Sequence, residues 1–201
     1  VEFINSVKTL DEYDPDGHSH IHGEHETDEH IWTSPANAAT MIEIIADELC
    51  AADSENSELY RSNAERYINE ISEIGNEVSR LVKRTPSPFI LVAVRFPFRY
   101  FTEEYGISYE AAFGGCADSA DISLKAMKRL VDSVEKNGGT AAYYTEMRAK
   151  TIASALKEET GVRLLELQSG HTVTVKEFKS GITYAQLLRR NLRALEEGWN
   201  G

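Results

Sequence analysis

The sequence predicts an α/β chain: a long amphipathic helix leading into a four-stranded parallel sheet flanked by helices. Two patterns carry that expectation. From residue 89 onward, short apolar runs alternate with helical stripes across short connections, the signature of a parallel sheet covered on both faces. Ahead of them, Tyr60, Ala64, Tyr67, Ile71, Ile74, Val78 and Leu81 follow one another at steps of four and three residues, which draws one continuous apolar stripe down a helix. At 1.5 Å per residue that helix should span roughly 30–35 Å.

The elements follow in order. VEFINSVKTL (1–10) reads as a short strand or connector, and 11–33 as a polar, histidine- and acid-rich loop with no helical or strand period. Ser34-Pro35 opens a helix: the serine can cap free amides, and proline at the first helical position gives up no hydrogen bond. That helix should reach about Leu49. The long helix follows the ADSENSE break, and RTPSP (84–88) ends it and marks a boundary. FILVAV (89–94), YEAAF (109–113), TAAYYT (140–145) and VRLLEL (162–167) are the expected strands. Helices are expected over 97–106, 121–137, 147–160 and 184 to about 199, the first three stopped by Gly106, Gly138-Gly139 and Gly161. Three regions result: 1–33 with the histidine-rich loop, 34–84 with two helices, and 85–201 as an α/β lobe. Ligands of such sheets bind at the carboxyl ends of the strands. Here those ends are Arg95, Gly114, Glu146 and Gln168.

The chain has 201 residues, enough for a real core, and a net charge of −12, which argues against a nucleic-acid partner. No apolar run approaches the ~18 residues of a membrane span. Cys50 and Cys116 form no CxxC, and whether they pair is open. The first residues lack the basic and apolar stretches of a signal peptide. No HExxH, GxSxG or phosphate-cradling glycine loop is present, nor a carboxylate pair at helical spacing beside a pocket, so the chain reads as a non-enzyme.

The candidate chemistry is metal binding. Five of the six histidines lie in DGHSHIHGEHETDEHIW (16–32). His30, beside two acids and a tryptophan and just before a helix cap, is either a metal ligand or a histidine packed at a helix entry. A ligand histidine needs an acceptor on its other ring nitrogen. His18, His20, His22 and His25 stand on a loop whose ordering costs roughly 1–2 kcal/mol per residue, so they point to a weak collecting site. His171, in LQSGHTVT, follows the fourth strand. Glu146 either faces the cleft or caps the helix beside it. Arg95 cannot ligate a metal, because its guanidinium stays protonated.

DEHIWTSPANA, RFPFRYFTEEYGISYEAAFGGC and GITYAQLLRRNLRAL together resemble the zinc/manganese-type solute-binding proteins of ABC importers, the zinc-binding lipoprotein or adhesin family. The first matches that family's D-x-H-x-W-x-x-P segment. The resemblance implies two α/β lobes joined by a long rigid helix, with metal in the cleft between them. On that pattern the chain is a C-terminal piece: the last part of the first lobe, the linker helix and the second lobe. It implies Zn2+ ahead of Mn2+ as the bound ion, a membrane permease as partner, and an extracytoplasmic location. The surface left by the missing lobe would favour a dimer of the truncated piece. Carried over by position, His30 is a cleft ligand, while Arg95 and Gln168 stand where further ligands are expected, with His171 three residues beyond the latter. The expected role is zinc capture and delivery. A surface adhesin or zinc buffer acting mainly through the histidine loop is the alternative.

Overall fold

The computed structural model describes residues 2–13, 15, 27–113, 123–145 and 150–200. His18, His20, His22, His25, Cys116 and Glu146 lie outside them.

After a 3-10 turn at Phe3–Ser6, where the sequence suggested a strand or connector, the chain continues without regular structure to Leu10. An isolated antiparallel bridge then pairs Asp11 with Thr27. A second 3-10 turn, Ile31–Thr33, leads into α1 (Pro35–Ala52). The Ser34 hydroxyl accepts the Asn37 amide at 3.0 Å, the cap its sequence promised, with Pro35 at the first helical position. Then α2 (Ser57–Arg84) runs for 28 residues, about 42 Å, longer than the stripe alone suggested. Ile71, Ile74, Val78 and Leu81 are its buried side chains.

The lobe that follows is β1 (Phe89–Arg95), α3 (Arg99–Tyr105), β2 (Ser108–Phe113), α4 (Leu124–Asn137), β3 (Ala141–Thr145), α5 (Lys150–Thr160), β4 (Arg163–Leu167), α6 (Val175–Lys179) and α7 (Tyr184–Asn200). All strand pairs are parallel, in the order β2-β1-β3-β4. β1 is central, and its alternation sorts the core. Ile90, Val92 and Val94 face a cluster with Val78 and Leu81 of α2 and Leu195 of α7. Leu91 and Ala93 face Leu130 and Val134 of α4 and Leu156 of α5. This is why FILVAV is apolar at every position: both of its faces are covered.

Helix α3 begins at Arg99, two residues later than the sequence suggested, because Phe96 and Phe98 are drawn into the core below the end of β1. Gly106 and Gly138 end α3 and α4 at φ +65° and +60°, a conformation costly for residues with a side-chain Cβ. Helix α6 was not foreseen. A full capping box builds it: Thr174 accepts the Glu177 amide, and the Glu177 carboxylate accepts the Thr174 amide.

Two close approaches depend on glycine. A Cβ on Gly198 of α7 would lie 2.0 Å from the Tyr143 hydroxyl, and one on Gly75 of α2 would lie 2.8 Å from that of Tyr105. Cys50 is half-buried with its thiol against the Ser57 carbonyl, while its suggested partner Cys116 is not among the described residues. No helix among the described residues is long and apolar enough to cross a membrane.

Candidate metal site at His30 and His171

The short segment from Asp28 to Ser34 is held by hydrogen bonds from several elements. Asp28 donates its amide to the Leu10 carbonyl at 2.8 Å. The Tyr100 hydroxyl of α3 accepts the Leu10 amide at 3.1 Å and donates to the Asp28 carbonyl at 2.8 Å. The Thr33 hydroxyl returns to the His30 carbonyl, and the Asn37 side chain to that of Ile31. Ser34 donates to a carboxylate oxygen of Glu104 at 2.5 Å. Burial lifts the Tyr105 hydroxyl pKa well above the ordinary tyrosine range, and the neighbouring Glu104 charge adds to the rise.

Within this frame Asp28 and His30 are both buried, at 0% and 3% exposure. One Asp28 oxygen, Oδ1, receives the His30 amide at 2.8 Å and lies 2.7 Å from the His30 Nδ1. An ionised carboxylate can only accept, so Nδ1 carries a proton, and in the neutral ring it is Nε2 that offers the lone pair. A histidine backed in this way by a carboxylate is oriented and made more basic for a metal. The other Asp28 oxygen is buried with no hydrogen-bond partner among the described residues.

His171 completes the pair from the other side of the fold. Its ring centroid lies 4.8 Å from that of His30, with the rings 75° apart. Two imidazoles sharing one tetrahedral zinc, at ~2.0–2.1 Å per Zn–N bond, place their centroids about 5 Å apart. Nitrogen donors of this kind suit zinc, whereas manganese favours carboxylates. Among the described residues there is no group of three or more His, Cys, Asp or Glu side chains arranged for a metal.

The loop bearing His171 is positioned by α7. The Asn191 side chain accepts the Gln168 amide at 2.7 Å and donates to the Gln168 carbonyl at 2.8 Å. The Gln168 side chain itself turns to Glu166, 2.9 Å away. Arg95 is half-buried at the end of β1. Of the residues picked from sequence, the structure therefore brings His30 and His171 together, commits the Gln168 amide elsewhere, and does not describe Glu146 or the four loop histidines. Asp28, Trp32 and Asn191 were not singled out as site residues. Asp28 carried the clearest signal, two residues ahead of His30 in an acid-rich run, and Asn191 was visible only as a polar residue on the buried stripe of α7.

A long helix leading into a four-stranded parallel sheet flanked by helices defines the class of the chain as an α/β lobe. The family model described as "ZnuA: Zinc-uptake complex component A periplasmic" matches residues 2–198, and the chain belongs to that family. It is 28% identical over 182 residues to the zinc-binding lipoprotein AdcA of Streptococcus pneumoniae, an alignment spanning 89% of this chain and 36% of that protein. It is 24% identical to the high-affinity zinc uptake system protein ZnuA of Bacillus subtilis, spanning 97% of this chain and 63% of that one. The chain thus spans about a third to two thirds of the length of these relatives. Among solved structures, the Zn(II)-bound ZnuA-like domain of Streptococcus pneumoniae AdcA superposes with a TM-score of 0.72 at 25% identity, covering 87% of this chain and 65% of that domain. The four-stranded parallel sheet flanked by helices is the fold these relatives share.

Proposed function

We propose that the chain is the zinc-capturing part of an extracytoplasmic binding protein that hands Zn2+ to an ABC importer, and that it carries no catalytic activity of its own. The observation that carries this reading is the Asp28–His30–His171 arrangement: a buried carboxylate fixes one imidazole, and the second lies at the spacing a shared zinc needs. The names of the relatives, a zinc-binding lipoprotein and a zinc uptake protein, support both the cargo and the location. Delivery needs only that the metal-holding arrangement bind more tightly than the one presented to the permease.

Two imidazoles leave a tetrahedral ion two positions short. The chain alone should therefore bind zinc weakly, with the remaining ligands coming from outside the described residues. His18, His20, His22 and His25 act as an auxiliary collecting tract. Calorimetric titration with zinc chloride tests the assignment. Replacing His30 with alanine should abolish the principal binding event, and deleting 16–26 should spare it. The reverse outcome favours the buffering or adhesin reading, in which the histidine tract is the functional part. A dimer of this chain would use the exposed Ile45 and Leu49, one turn apart on α1. A monomeric sedimentation coefficient at high concentration counts against it.

A further inference from the structure

Trp32 lies against both histidines, and its side chain is hydrogen-bonded to the segment that carries the second. Its indole Nε1 donates to the Ser169 carbonyl at 2.8 Å, two residues before His171. Its ring lies edge-on to His171 at 5.0 Å between centroids and meets His30 at 5.5 Å. Its own carbonyl accepts the Tyr184 hydroxyl of α7 at 2.5 Å. Gly170 makes the approach possible: it takes φ +78°, and a Cβ there would stand 3.3 Å from the indole nitrogen and 3.4 Å from the adjoining ring carbon.

These contacts tie His171 to the His30 segment. His171 is exposed and follows a glycine in the left-handed region; its amide donates to the Ser169 hydroxyl at 3.3 Å, a bond that anchors its main chain but does not set the rotation of its ring. The indole supplies a rigid plane against that ring and a directional bond to the strand end before it. The His30 ring, by contrast, is buried and is set by its bond to Asp28.

We propose that Trp32 is the positioning residue for His171, holding the second imidazole at ligating distance from the first before any metal arrives. The inference rests on the zinc reading above and adds to it the device that preorganises the pair. It predicts an asymmetry, in that loss of the indole should disturb His171 and leave His30 in place.

The test has a metal-free and a metal-bound arm. In the metal-free chain, the His171 imidazole proton resonances should lie at shifts displaced by the indole ring current. They should move to values of a solvent-exposed histidine in Trp32→Phe and in Gly170→Ala, while those of His30 hold. In zinc chloride titrations, each substitution should weaken binding about tenfold or more, the effect usual for groups that orient metal ligands. Adding Trp32→Phe to His171→Ala should cost nothing further, because the two act through one imidazole. A purely structural role for Trp32 would weaken both backgrounds equally, and that result overturns the proposal. Unchanged zinc affinity in Trp32→Phe, beside impaired His30→Ala and His171→Ala, overturns it while leaving the zinc reading intact. Unchanged affinity in both histidine variants removes the zinc reading and the inference with it. Gly170→Ala approaches the same contact from the opposite strand end, so a Trp32 variant that fails to fold does not close the question.

Discussion

The Nδ1 of His30 and an oxygen of Asp28 are 2.7 Å apart, and that same oxygen also receives the His30 main-chain amide. A single carboxylate oxygen therefore fixes both where the histidine sits and which ring nitrogen is left for a ligand.

Replacing Asp28 with alanine should weaken zinc binding by about 10–100-fold. It should also destabilise the metal-free chain by roughly 1–3 kcal/mol, because the buried His30 amide loses its acceptor. Asp28→Asn keeps an acceptor without the charge and should fall between wild type and alanine. Parallel zinc titration and urea denaturation measure the two effects, and wild-type affinity in Asp28→Ala would contradict the assigned role.

Asn191 offers a cleaner separation of scaffold from site. Its side chain satisfies both main-chain groups of Gln168, and Asn191→Leu would leave two part-buried backbone groups without these partners. A loss of about 2–4 kcal/mol is expected from two such groups. Chemical denaturation gives the number, and a loss below half a kcal/mol would mean that water replaces the amide without difficulty.

Tyr143 and Gly198 make a pair in which the hydroxyl is the awkward part. The Tyr143 hydroxyl is buried without a hydrogen-bond partner among the described residues. Desolvation accordingly pushes its pKa well above the ordinary tyrosine value. Tyr143→Phe should raise stability by about 1 kcal/mol, since it removes an unsatisfied polar group. Gly198→Ala should destabilise by at least 3 kcal/mol or so, in the range of severe overpacking. Combining the two should recover part of that loss but not all of it, because the ring carbon beneath the hydroxyl is itself only 2.9 Å from the added Cβ. A double variant no more stable than the sum of the two single effects would count against this account.

Glu177 gives a pH signature. The Arg190 guanidinium, followed by the Thr174 hydroxyl and amide, holds its carboxyl down at about 2. A carboxyl whose pKa is lowered on folding contributes stability above its unfolded value, near 4.5, and loses that contribution as pH falls toward 2. The carboxyl resonance of Glu177 should titrate near 2, and Glu177→Gln should flatten the acid limb of the stability profile. A midpoint near 4.5 would show that the pair with Arg190 is not formed in solution.

The parts of the fold that could be read from sequence were those whose burial leaves a period. FILVAV is apolar throughout because α2 and α7 cover one face of β1 and α4 and α5 the other. Ser34-Pro35 marked a helix start because capping is local chemistry. Helix α6 left no such period: Val175 and Phe178 are exposed, at 71% and 77%, so no apolar stripe marks it, and its Thr174–Glu177 box was the only cue. At the site, the local run DEHIW pointed to His30. The bond from Trp32 to Ser169 closes across 137 positions, and no local pattern records a contact of that span. Gln168 looked like a ligand position from its place in the chain, yet its side chain is turned to Glu166.

The Asp11–Thr27 bridge, clamped by Tyr100, has a consequence for how this protein can vary. It joins the entry and exit of the intervening segment at one point, and Tyr13 is fastened separately to Glu110 at 2.8 Å. The sequence between Tyr13 and Thr27 is thus an exchangeable cassette whose two splice points sit on the scaffold. A change in its histidine content therefore need not displace His30 from the carboxylate that orients it.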